Sequence, residues 1–171
     1  MTQTANAATE LAREHDEIDR LATRIATLAP GPERTALVHE LCARFVIHVQ
    51  VEERYLHPAV RTLLRNGAFA VTFQMRRNRA VGRTIACVER GVTEGDEYDI
   101  LVSHLVVGVQ DHVERQDAFL LPALVDVCPI EQMNRLGEQL REGIAAARRA
   151  VERATTRASE RAETAESGGG G

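Results

Sequence analysis

Residues 48–58 read HVQVEERYLHP and residues 112–122 read HVERQDAFLLP. The segments are offset by 64 positions, and each places a proline ten residues after a histidine. In the first, His48 and Glu52 are one helical turn apart and share a face. That face continues as Leu37, Leu41, Phe45, His48, Glu52, Tyr55 and Ala59, a helical stripe that turns polar midway. The second segment lies on a matching stripe, Leu101, Leu105, Gly108, His112, Gln116, Phe119 and Ala123. An imidazole and a carboxylate on a core-facing stripe cost several kcal/mol if buried without partners. They therefore bind a metal or one another.

The remaining sequence supplies the frame. A first helix is expected from a cap at Thr9 to about Leu28, with residues 1–8 frayed and Leu11, Ile18, Leu21 and Ile25 turned inward. Helix 2 should run from about Glu33 to Leu64, kinked at Pro58. Helix 3 should span about 68–90, and helix 4 about 96–125 after the Gly91–Gly95 break. A fifth helix from Pro129 carries Met133, Leu136, Leu140, Ile144, Ala147 and Val151 in a heptad-like row. It either covers an outer groove or mediates a homodimer. No segment alternates with the period of a strand. The expectation is all-α, an antiparallel up-down-up-down four-helix bundle with an additional C-terminal helix. Residues 1–128 form the bundle, 129–155 the C-terminal helix and 156–171 a flexible tail.

Composition agrees. The chain has 171 residues, 44% hydrophobic but only 4% aromatic and without tryptophan, so its core is aliphatic. All 21 basic residues are arginine, a usage that fits a GC-rich bacterial genome. A net charge of −4 gives no basic face for a nucleic acid. The run Arg76, Arg77, Arg79, Arg83 is read as a solvated face. Three cysteines without a CxxC pair suit a reducing compartment. No apolar run reaches membrane-spanning length, and the N-terminus has no signal-like core. The expected location is the cytoplasm, with no membrane partner.

Counting from the turns levels the polar residues. His15, His48 with Glu52, Arg79 and His112 fall within about four residues of a common height, or about 6 Å of helical rise. Inward imidazoles and carboxylates from several helices are how bundles hold iron or manganese.

The pattern resembles the hemerythrin-like, or HHE cation-binding, family over about residues 8–125. The residues that carry it are Glu14-His15 in helix 1, His48, Glu52, Glu53 and Pro58 in helix 2, and His112, Asp117 and Pro122 in helix 4. The resemblance implies a bundle holding two non-haem irons that binds dioxygen, senses oxygen or iron, handles nitric oxide or turns over peroxide. It implies metal ligation by His15, His48, Glu52, His112 and Asp117. His15 and His48 would hold one iron, Glu52 and Asp117 would bridge, and His112 would hold the second. Gln116 stands where other members place a glutamate.

Helix 3 departs from the family. Residues 73–85, FQMRRNRAVGRTI, contain no histidine, and Met75, Asn78 and Arg79 stand where one is expected. Three readings follow: two metals with Tyr55 or water filling the gap, one metal at His15, His48 and Glu52, or no metal with Arg79 neutralising the carboxylates. His39, His57 and His104 fall off the shared layer and are read as surface residues or as residues that back the ligands. With metal, the expected function is a centre that binds or senses O2, NO or peroxide, or an enzyme that removes peroxide or NO; without metal, it is a structural or interaction module.

Overall fold

The computed structural model describes residues 6–91 and 95–167. Its helices are α1 (Ala7–Thr27), α2 (Pro32–Val51), α3 (His57–Leu63), α4 (Gly67–Glu89), α5 (Asp96–Arg115), α6 (Leu121–Val127) and α7 (Ile130–Ser167). A π turn, Glu52–Leu56, joins α2 to α3, and a second, Gln116–Leu120, joins α5 to α6. The rods α1, α2–α3, α4 and α5–α6 make the expected four-helix bundle, and α7 is the additional helix. There is no strand among the described residues. None of their helices is long and apolar enough to cross a membrane.

Local chemistry sets the ends. α1 is capped by Asn6, whose side chain accepts from the Thr9 N–H while the Thr9 hydroxyl meets the Asn6 N–H. Thr9 is thus the third residue of the helix, a reciprocal partner rather than the cap, and the cap lies three residues earlier than expected. Pro32 sits in the first turn of α2, where its missing N–H costs nothing. The kink expected at Pro58 is realised as a π turn just before it, and Pro122 has the same arrangement. A proline ring presses on the carbonyl four residues back, and a widened turn relieves that contact.

The interior forms two apolar clusters. One is built around Ile18, Leu41, Phe45, Val81, Leu105 and Val109. The other is built around Leu11, Leu56, Val71, Leu124, Leu136 and Leu140. α7 contributes its row to the second cluster by lying on α1 and α2. Met133, Leu136, Leu140 and Ile144 are buried, Ala147 is half-buried and Val151 is exposed. The stripe considered for a homodimer is therefore largely used within the chain. Arg141 pairs with Glu10 at 3.4 Å, and Arg148 clasps Glu14 with contacts of 2.8 and 3.1 Å. The helix continues past the expected end at 155 to Ser167, and its side chains from Val151 to Arg161 are exposed. Residues 168–171 of the expected tail lie outside the described residues.

α7 approaches closely because two of its positions lack a side chain. A Cβ at Gly137 would lie 2.5 Å from the Asn6 carbonyl carbon, and one at Gly143 would lie 2.8 Å from the Tyr55 ring. Gly137→Ala should cost about 1–3 kcal/mol, because the obstructing atoms are backbone. A urea midpoint lowered by that amount, with metal content unchanged, is the expected result. An unchanged midpoint would show that α7 does not seat on α1 in this way.

Candidate metal centre

His15, His48, Glu52 and His112 meet between the two apolar clusters. Their donor atoms all lie within 4.8 Å of one another, and all four side chains are buried. Each comes from a long rod: His15 from α1, His48 and Glu52 from the end of α2 and its π turn, and His112 from the end of α5. The His48 and His112 Nε2 atoms are 3.1 Å apart. Glu52 reaches His48 Nε2 at 3.2 Å and His112 Nε2 at 3.4 Å, and is 0% exposed. Phe45 packs edge-on against His112 with ring centres 5.1 Å apart, closing the site on one side.

Outer hydrogen bonds orient two of the rings. His15 Nδ1 donates to the Asp117 carboxylate at 2.6 Å, and His112 Nδ1 donates to Asn78 Oδ1 at 3.0 Å. A proton held on Nδ1 leaves the Nε2 lone pair facing the centre. Asp117 is 44% exposed and touches His15 from outside, so its carboxylate is not among the four converging groups. Gln116 takes the interior position one turn beyond His112, fully buried, with its Nε2 3.3 Å from His112 Nε2.

Helix 3 answers differently from the expectation. Asn78, not Arg79, faces the layer; Arg79 is exposed. The stripe Val71, Asn78, Val81, Ile85, Val88 carries this signal, with one residue of offset turning Arg79 about 100° away. Met75 packs half-buried against the second apolar cluster. Tyr55 is also turned elsewhere, with its ring beside Gly143 of α7 and under the Arg54 guanidinium. It does not fill the helix-3 gap. Of the two alternatives expected for the remaining histidines, His39 and His104 take the exposed one and His57 is buried. In an unbroken α-helix His57 would point about 140° from Glu52. The π turn, in which the His57 N–H bonds the Glu52 carbonyl, brings it back towards the interior. Glu14, the other half of the Glu-His pair, faces Arg148 of α7.

Several buried atoms in this layer lack hydrogen-bond partners: His15 Nε2, both Glu52 oxygens and Gln116 Oε1. Such atoms are costly unless something binds them. A metal about 2.1 Å from each donor holds opposite donors about 4.2 Å apart, so shifts of a few tenths of an ångström close this set around one ion. The donors present therefore fit a cation.

Electrostatics without a metal point the same way. Burial alone would push the Glu52 carboxyl up, but His48, His112 and His15 outweigh it and the net direction is down. Burial opposes a proton on His48, yet the Glu52 charge prevails and raises its pKa. His112 is pushed down to about 3, chiefly by burial and further by the neighbouring imidazoles. In metal-free protein His112 thus stays neutral when folded but takes a proton near its ordinary 6.5 when unfolded. The unfolded chain binds more protons below pH 6.5, so stability falls as pH falls. Glu52 adds to that loss below its ordinary 4.5, while His48 is protonated in both states below 6.5 and adds no slope. Urea midpoints of chelated protein should drop steadily from pH 6.5 to 4.5, and His112→Gln should flatten the fall. A midpoint independent of pH over that interval would contradict a neutral buried His112.

Comparison with known proteins agrees with this layout. The family model for the hemerythrin HHE cation-binding domain matches residues 6–124. A crystal structure of a hemerythrin HHE cation-binding domain-containing protein, the Rv2633c homolog from Mycobacterium kansasii, superposes with a TM-score of 0.73. It is 20% identical, and the match covers 85% of this chain and 88% of that one, a likeness of fold. No curated protein matches the sequence. With its bundle, its convergent histidines and glutamate, and a family match over most of its length, the chain belongs to the hemerythrin HHE cation-binding domain family.

Proposed function

We propose that the chain holds a single non-haem iron at His15, His48, Glu52 and His112 and uses it to bind a small ligand: dioxygen, nitric oxide or peroxide. The observation that carries this is the convergence of three imidazoles and one carboxylate within 4.8 Å. Imidazole and carboxylate donors suit iron. An ion with fewer than six protein donors keeps positions open for such ligands.

One ion is a better fit than the two implied by family resemblance. Dinuclear bundle centres draw about six ligands, including carboxylates from more than one helix. Here the 64-residue echo places Gln116 opposite Glu52, and helix 3 offers Asn78. Both are neutral carboxamides, poor at balancing a second cation. Asp117 acts in this reading by fixing the His15 ring.

Binding or sensing is favoured over peroxide turnover because none of Tyr55, Glu53 and Arg79 faces the site. Tyr55 is turned to α7, and Glu53 and Arg79 are exposed. The competing reading is a metal-free module in which a protonated His48 offsets Glu52. Arg79, which would have supplied a permanent charge, lies at the surface.

Iron per chain after anaerobic Fe(II) loading and desalting tests this. The expected content is about one, falling below about a tenth in Glu52→Gln. Gln116→Glu combined with Asn78→His should raise it towards two. Asp117→Asn should weaken affinity about 10–100-fold while leaving the content at saturation unchanged. About two irons in the unaltered chain would restore the dinuclear reading. Negligible iron would leave the metal-free module. Nitric oxide added anaerobically should change the absorption of the loaded protein and leave that of Glu52→Gln unchanged.

A further inference from the structure

α7 covers the α1–α2 side of the bundle and leaves the α4–α5 side bare. On that bare side a cavity of about 760 Å³ opens between α4 and the α5–α6 rod. Small-molecule sites occupy about 300–1,000 Å³. Small residues line it, Ala70 and Ala80 on α4 and Gly108 and Ala123 on the α5–α6 rod, with Gly108 close against Val81. Its walls include Phe73 and Phe119, which are 44% and 70% exposed. Two large aromatic rings left in water around one hollow are a surface that gains from being covered.

The rim is positive in a chain whose net charge is −4. Arg77 and Arg115 both bind Asp111 and stand over the Phe73 ring, 5.6 and 6.0 Å from its centre. Arg76 also lines the cavity and makes no ion pair with a described residue. Three guanidiniums thus face one carboxylate. The cavity also reaches Asn78 and His112, the outer partner and one member of the histidine cluster.

We propose that this cavity binds an amphipathic organic anion, a carboxylate bearing an apolar chain or ring. The apolar part lies against Phe73 and Phe119, where each Å² removed from water is worth about 25 cal/mol. The carboxylate meets Arg76, whose planar fork suits it and which has no competing partner. The binding stands on the cavity alone and does not depend on the iron reading. If both hold, the anion lies beside the Asn78–His112 hydrogen bond that orients the ring.

Isothermal titration calorimetry of the full chain with decanoate and with decan-1-ol separates charge from apolar contact, and light scattering records the oligomeric state. Decanoate should bind at about one per chain and decanol about tenfold more weakly, since a charged pair adds roughly 1.4 kcal/mol. Arg76→Glu should remove the preference for decanoate, because it reverses a charge that supports no internal contact. Ala123→Phe should fill the cavity and abolish both, with the thermal midpoint and iron content unchanged. Equal affinity for acid and alcohol, no binding of either, or decanoate binding unaffected by Arg76→Glu would each overturn the proposal. So would a dimer that decanoate does not dissociate and that Phe119→Asp does, since a second copy would then be the occupant.

Discussion

The bundle depends on how it tolerates a carboxylate at its centre. Glu52 is buried between two apolar clusters, where an isolated charge would shift its pKa and neutralise rather than persist. Three imidazoles from α1, α2 and α5 surround it, and their combined effect holds it ionised against burial. That requirement sets the height at which the rods align. A slip of one turn in any rod would move a histidine about 5.4 Å and leave the carboxylate facing hydrocarbon. The four groups therefore act as a register lock as well as a candidate cation site.

The second feature is the pair of π turns. Both start four residues after a cluster histidine and both lead into a proline. Each contains the residue at the centre of its segment, Glu52 in one and Gln116 in the other. Widened turns are frequent at functional sites because the extra residue re-aims the side chains that follow. His57 is the clearest consequence, carried to the interior from a position that regular helix geometry would turn away. The two segments are near copies in backbone form, but one presents a carboxylate and the other an amide. That chemical asymmetry inside a symmetric frame underlies the preference for one ion over two.

The bundle is also asymmetric on the outside. α7 seals one face through Leu136 and Leu140 and through arginines that clasp Glu10 and Glu14. The opposite face keeps exposed aromatics around a cavity that leads to His112. The cavity thus borders the cluster on one side, at Asn78 and His112.

Helical periodicity, the paired histidine segments and their proline spacing were enough to determine the bundle and to bring His15, His48, Glu52 and His112 to one height, along with Arg79, which the structure turns to the surface. This works because an i, i+4 pair on an apolar stripe has only one side to face, and antiparallel rods of known rise can be levelled by counting. Three assignments needed tertiary structure. Asp117 and Gln116 are neighbours in sequence, and the packed helices put the amide in the core and the carboxylate against His15 from outside. Asn78 and Arg79 differ by one residue, and the packing of α4 against α5 chooses between them. Tyr55 shares a stripe with His48 in a regular helix, but the widened turn and the side-chain-free position at Gly143 draw it towards α7. In each case the deciding quantity is a helix rotation of about 100° or less, one residue's step around the axis.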